Sequence, residues 1–246
     1  MTTTAIAAQA RTEIVLSLRR GESLVVTLAI PLGVLVFFSK IDTSIPAGYK
    51  SAIDFLVPGV LALAIMSAAM VSLGIATGFD RRYGVLKRLG STPLSRGQLL
   101  AAKTINVLAL EVIQFVLIIL VGIALGWHAT TGIIPAIGLS LLGTIAFAGL
   151  GMLMAGTLRA EATLAAANGL FLVLLFLGGM AYPLDKLPLF LQDLSRALPA
   201  AALSETLHGV LSGPAGKGFP TGSLMVLIVW AVVLPALAIR FFRWEE

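Results

Sequence analysis

Residues 80–103 read DRRYGVLKRLGSTPLSRGQLLAAK and carry Arg81, Arg82, Lys87, Arg88, Arg96 and Lys103, six of the seventeen basic residues in the chain. The segment lies between two long apolar runs. Charge at this density has to stay in water, and the excess of Lys and Arg on cytoplasmic loops places it on the cytoplasmic side of a membrane. Gly84 can release the preceding helix, residues 85–89 suffice for one and a half turns, and Gly90 suits a helix C-cap. Thr92-Pro93 marks a turn, Ser95 an N-cap, and helical periodicity resumes through Gln98, Leu99 and Lys103. The segment is therefore either a short exposed basic helix between two spans or a solvated loop whose charges only set topology.

The composition agrees with a membrane location. With 58% hydrophobic and 12% charged residues and a mean hydropathy of +1.01, the chain falls outside the range of soluble domains and reads as an all-α integral membrane protein. One transmembrane domain, 1–246, leaves no room for a separate soluble catalytic domain. The net charge of +5 fits loops beside anionic lipid better than it fits nucleic acid. The absence of cysteine excludes disulfides, thiolate metal sites and cysteine nucleophiles, and the isolated His128 and His208 lack metal-site spacing.

Working outward, residues 5–20 are too charged to span but place Ile6, Ala10, Ile14 and Leu18 in one row, the pattern of an amphipathic interfacial helix. Six spans are expected, near 23–39, 53–79, 104–127, 133–158, 163–181 and 223–242. Pro31 lies inside the first, and Asp42 and Pro46 in the loop that follows. Gly74 and Gly78 form a GxxxG pair in the second, which permits close helix approach. With both termini inside, Arg11, Arg19, Arg20, Arg81, Arg82, Lys87, Arg88, Arg96, Lys103, Arg159, Arg240 and Arg243 fall inside. Lys40, Lys50, Lys186, Arg196 and Lys217 fall outside, the asymmetry the positive-inside rule requires.

The third span has a polar face. Lys103, Asn106, Glu111 and Gln114 project within an arc of about 140 degrees. Glu111 lies about 12 Å beyond Lys103, well inside the hydrocarbon core. A carboxylate at that depth marks a translocation path or a proton-sensitive group, or is satisfied by a neighbouring helix. At the outer side, between spans five and six, residues 182–221 place Leu187, Phe190, Leu191, Leu194 and Leu198 on one helical face. After Pro199 they place Leu203, Leu207, Val210 and Leu211 on another. These two short outer helices either rest on the membrane or enter it as a re-entrant pair that closes a path, with Gly178, Gly179, Pro183, Pro188 and Pro199 at the gate.

Two stretches carry a family resemblance. GVLKRLGSTPLSRGQLLAAK, after the second of six spans, resembles the coupling-helix segment of the ABC-2 type permeases. FLGGMAYPLDKLPLFLQDLSRALPAAALSETLHGVL, residues 176–211, is similar to that family's segment between the fifth and sixth spans. The resemblance implies a permease subunit of an ABC exporter in the cell (inner) membrane, with both termini cytoplasmic. It also implies a separate ABC ATPase, in two copies, that holds ATP and Mg, and a second permease copy or a related subunit.

On this resemblance Arg81, Arg82, Tyr83, Gly84, Leu86, Lys87, Arg88 and Leu89 form the ATPase interface, with Leu86 and Leu89 offered to a groove and Lys87 and Arg88 to acidic residues at its rim. No GxxxxGK[ST] phosphate loop occurs, and the Gly216-Lys217-Gly218 run lacks its flanking residues, so ATP hydrolysis is expected from another chain. The importer-type coupling sequence is also absent, which favours export. Drugs or antibiotics are the leading cargo, with a lipid-linked glycan or lipid as the alternative. An ion-coupled secondary transporter using Glu111 is the rival from a different class, and it would be expected to show internal repeats.

Overall fold

The computed structural model describes residues 2–19, 21–40, 48–92, 94–128, 132–180, 183–213 and 219–245, and the regular structure among them is helical throughout. The features expected at Arg20, Asp42, Pro46, Pro93, Ala181, Tyr182 and Lys217 lie outside these residues. In chain order the helices are α1 (Thr2–Arg19), α2 (Gly21–Lys40), α3 (Ala52–Ile65), α4 (Leu73–Arg82), α5 (Val85–Gly90) and α6 (Arg96–Ala124). They continue as α7 (Ile133–Thr157), α8 (Ala160–Leu177), α9 (Leu189–Arg196), α10 (Pro199–Leu211) and α11 (Thr221–Phe241).

A π-helical turn, Met66–Ser72, joins α3 to α4, so that Ala52–Arg82 is one continuous rod. Five stretches among the described residues are long and apolar enough to cross a membrane: Ala52–Arg82, Arg96–Ala124, Ile133–Thr157, Ala160–Leu177 and Thr221–Phe241. The apolar part described in α2, Thr27–Lys40, is shorter.

The α3–α4 rod is the centre of the bundle, and small residues put it there. A Cβ on Gly151 of α7 would lie 2.8 Å from the Met70 carbonyl oxygen and 2.9 Å from that of Ala69, so α7 crosses the π-helical turn backbone to backbone. Gly74 faces Gly151 in return, whereas Gly78 faces Thr163 of α8. The GxxxG pair thus serves two different neighbours, since the two glycines, four residues apart, meet successive helices. On its other side α7 receives Pro235 of α11 against Gly149, where a Cβ would sit 2.5 Å from the proline nitrogen.

Two expectations change at this level, and one open choice narrows. Of the row Ile6, Ala10, Ile14 and Leu18, Ala10 is buried and Ile6 and Ile14 are half-buried where α1 packs along α6, whereas Leu18 is exposed. The inward side also carries Glu13 and Ser17, which α6 partners as described below. Gly90 is not a left-handed C-cap: α5 ends with Ser91 in right-handed geometry, and the Trp244 ring packs on Gly90, 3.1 Å from where a Cβ would be.

Finally, the two helices that follow α8 differ. α9 exposes Leu189, Phe190 and Leu194, whereas α10 is buried on both faces among α3, α7, α8 and α11, with Ser204, Thr206 and His208 enclosed alongside its leucines. A helix buried all round cannot lie flat on a membrane surface.

Candidate functional site

The end of α4 is a hub. Asp80, Arg81 and Arg82 are consecutive, and each binds a different part of the bundle. Asp80 Oδ2 accepts from Lys103 Nζ of α6 at 3.0 Å. Arg81 donates through Nη1 to the Ala155 carbonyl at 2.7 Å and through Nη2 to the Leu158 carbonyl at 2.5 Å. These carbonyls lie at the C-terminus of α7, where helix carbonyls lack internal partners and the dipole favours a cation. Arg82 pairs with Glu161 in the first turn of α8. Arg96 repeats the carbonyl device at α11, donating to Arg240 at 3.3 Å and Ile239 at 3.5 Å.

This overturns the expectation that the whole basic segment sits in water. Arg81 and Lys103 are buried, and Arg81, Arg82, Arg96 and Lys103 all bind other parts of the bundle. The two cations of α5 itself, Lys87 and Arg88, point outward. Gly84 adopts φ +72°, a left-handed conformation that suits glycine and turns the chain sharply from α4 into α5. Ser95 caps α6 as expected, in a capping box: its Oγ accepts from the Gln98 amide at 3.2 Å and its amide donates to Gln98 Oε1 at 2.8 Å.

Leu86 does not face a partner. Its side chain is fully buried beneath α5, where it fixes the helix to the bundle, and Leu89 is half-buried against the same core. The residues presented are Tyr83, at 71% exposure, with Val85, Lys87 and Arg88. They adjoin an open groove of about 780 Å³ lined by Tyr83, Gly84, Lys87, Arg88, Trp244 and Glu245, among others.

The tail therefore belongs to this surface. The Arg243 amide donates to the Gly156 carbonyl at 3.1 Å, Phe242 and Trp244 stack edge to face at 5.5 Å, and Lys87 Nζ lies 3.3 Å from Glu245 Oε2. The end of α11 near Phe242 was legible in the sequence. The packing of Trp244 on Gly90 was not, because it depends on where α11 sits in the bundle.

The polar face of α6 is turned into the bundle, and its apolar residues Val112, Val116, Leu120 and Ile123 face outward. Asn106 Nδ2 donates to Ser17 Oγ at 3.1 Å, Gln114 Nε2 to the Thr27 carbonyl at 3.2 Å, and Thr144 Oγ1 to Glu111 Oε2 at 2.6 Å. Glu111 is 2% exposed. One oxygen of each, Asn106 Oδ1, Glu111 Oε1 and Gln114 Oε1, is buried without a hydrogen-bond partner among the described residues. Three acceptors without donors on one face are an expensive arrangement.

At the opposite end of the bundle, Gly178 closes α8 and Gly179 takes φ +64°, with its carbonyl accepting from Ser204 Oγ at 3.0 Å. Pro183 precedes a 3₁₀ turn, Leu184–Lys186. Pro188 stands before α9, and Pro199 is the first residue of α10, where its missing N–H costs nothing.

His208 ties α10 to α3: Nε2 lies 2.8 Å from the Phe55 carbonyl and Nδ1 lies 2.7 Å from that of Ser204. Burial holds the His208 imidazole below the ordinary histidine range. On acidification an unfolded chain takes up that proton first, so stability is lost as pH falls below about 6.5. The melting temperature in detergent is expected to drop between about pH 7.5 and 5.5, and His208→Gln to flatten that dependence. An unchanged slope in the variant would assign the acid sensitivity elsewhere.

Comparison with known proteins matches residues 4–211 to the family described as ABC-2 type transporter. The chain is 26% identical over 193 residues to the probable multidrug ABC transporter permease YbhS of Escherichia coli, covering 76% of this chain and 48% of that protein. It is 23% identical over 232 residues to the putative transport permease YvfS of Bacillus subtilis, 89% of each. It is 25% identical over 167 residues to the linearmycin resistance permease protein LnrN of the same organism, covering 66% and 43%. The chain spans about half the length of the first of these relatives. With its long apolar helices and a family match over most of its length, the chain is an integral membrane protein that belongs to the ABC-2 type transporter family.

Proposed function

We propose that this chain is the membrane subunit of an ATP-driven exporter, in which α5 docks on a separate ABC ATPase and the helix bundle moves cargo outward. The observation that carries the proposal is the division of the basic segment. Four cations anchor it, Lys103 to α1, Arg81 to α7, Arg82 to α8 and Arg96 to α11, and Lys87 and Arg88 are left facing outward beside an open groove. A platform held so firmly transmits force, and its charge suits a partner with acidic residues at the contact.

In this proposal α2 is the first of six spans, and the basic end and both termini are cytoplasmic, as the charge asymmetry favours. ATP and Mg belong to the ATPase, present in two copies. The permease works as a homodimer or beside a related permease. Drugs or antibiotics are the cargo class favoured by the relatives' names, multidrug and linearmycin resistance among them, with a lipid-linked glycan or lipid second. Gly178, Gly179, Pro183, Pro188 and Pro199 shape the outer gate, through which the buried α10 is held. The decisive experiment is co-purification with an ABC ATPase encoded beside this chain, followed by ATP hydrolysis in lipid with and without candidate drugs. A well-folded chain that binds no ATPase and moves substrate on an ion gradient alone would defeat the proposal.

A second possibility has its own observation. We propose that Glu111, whose Oε1 is buried without a partner among the described residues on the same helix face as Asn106 and Gln114, is a path contact or proton-sensitive group. Glu111→Gln is expected to impair transport or change its pH dependence while expression persists. Unchanged transport across pH would make Glu111 purely structural.

A further inference from the structure

Lys103 is the buried cation where three elements meet. It is 2% exposed, and its ammonium lies 3.0 Å from both Glu13 Oε1 of α1 and Asp80 Oδ2 of α4. Asp80 and Lys103 bound the basic segment in sequence, so this contact closes its two flanks on each other. Glu13 brings in a third element, and Gln9 Nε2 steadies it by donating to Glu13 Oε1 at 3.0 Å. One turn further along, Asn106 binds Ser17 of the same helix. The segment that carries α5 is thus tied to α7 and α8 through Arg81 and Arg82, and to α1 through Lys103.

We propose that Lys103 is a positioning residue for coupling: its ammonium clamps α1 to both flanks of the basic segment, so that α1 travels with the segment as one body. This role rests on α5 being the ATPase dock, yet the clamp itself is testable without the ATPase. The stoichiometry makes the contacts separable. Two carboxylates share one ammonium, so Glu13→Gln leaves the Lys103–Asp80 closure in place and loosens α1 alone. Lys103→Met instead leaves two partly buried carboxylates facing each other and drives α1 away.

The chain has no cysteine, so Leu16→Cys on the exposed side of α1 and Thr92→Cys just after α5 accept spin labels specifically. In the chain alone in lipid nanodiscs, the Leu16–Thr92 distance distribution is expected to be narrow, and broad once Glu13→Gln is added. In the ATPase complex the mean distance stays fixed between nucleotide-free and ATP-trapped states, and Glu13→Gln lowers cargo moved per ATP about three- to tenfold with ATPase binding retained. If Lys103→Met fails to fold, Glu13→Gln decides alone. An equally narrow distribution in Glu13→Gln, or a distance that changes on ATP trapping with the clamp intact, overturns the inference. Failure of the parent chain to bind any ATPase overturns the docking role of α5 instead, and leaves the nanodisc result to judge the clamp.

Discussion

Reversing both exposed cations of α5, as Lys87→Glu with Arg88→Glu, is expected to uncouple ATP hydrolysis from transport and to weaken ATPase binding at least about 100-fold, since like charges brought together at a contact cost several kcal/mol. The fold should survive. Both side chains point away from the bundle, and the Lys87–Glu245 pair, more than half exposed on each side, adds at most about 1 kcal/mol. The anchors that hold α5 in place, Arg81, Arg82 and Lys103, are untouched. Pull-down of the ATPase and drug-stimulated hydrolysis in vesicles measure the two effects. Retained binding and coupling in a folded variant would place the partner contact elsewhere, with Tyr83, Val85 and Trp244 the next residues to change.

The second large effect is steric. A Cβ on Gly59 of α3 would sit 1.9 Å from the Met180 carbonyl oxygen and 2.8 Å from its carbon, and both are backbone atoms that no rotamer change can move. Gly59→Ala must therefore push the turn after α8 away from α3 by more than 1 Å, a displacement that cores resist at a cost of about 1–3 kcal/mol or more. That turn carries Gly179, whose carbonyl binds Ser204, so α10 is loosened with it. The expected result is a steep fall in detergent-stable protein by size exclusion and a lower melting temperature. Gly33→Ala is the matched control, because nothing lies within 4 Å of its Cβ. There the alanine should be neutral or stabilising, as helix propensity alone predicts. Equal stability of the two variants would mean that the α3–Met180 contact is not maintained in the membrane.

The long helices were legible because each is a predominantly apolar run bounded by charge, glycine or proline. α7 and α11 begin and end within about two residues of their expected limits, inside the ordinary uncertainty of helix ends. The break at Gly84 and the Ser95 cap were legible for a local reason: both depend on one residue and its near neighbours.

What sequence periodicity does not carry is the partner of each side chain. Arg81 and Lys87 look alike in a row of cations, yet one is buried against the carbonyls of α7 and the other faces out. Leu86 fits an exposed docking helix as well as it fits a buried anchor, and the choice is made by what lies under α5. Gly59 is one glycine among twenty-five, and only the approach of Met180 sets it apart. The polar arc on α6 was visible as an arc. That Ser17, Thr27 and Thr144 meet it could not be read from α6 alone.

The π-helical turn carries a consequence for everything beyond it. Such a turn holds one residue more than regular winding would, and each α-helical residue turns about 100° and rises about 1.5 Å. Met66–Ser72 therefore sets the azimuth of α4 relative to α3. Rewound as plain α-helix, the same sequence would swing Asp80, Arg81 and Arg82 about 100° around the rod axis, taking each from its partner on α6, α7 or α8. The compass bearing of the basic helix is thus fixed some ten residues upstream, at the point where the backbone of α7 crosses the bulge through Gly151.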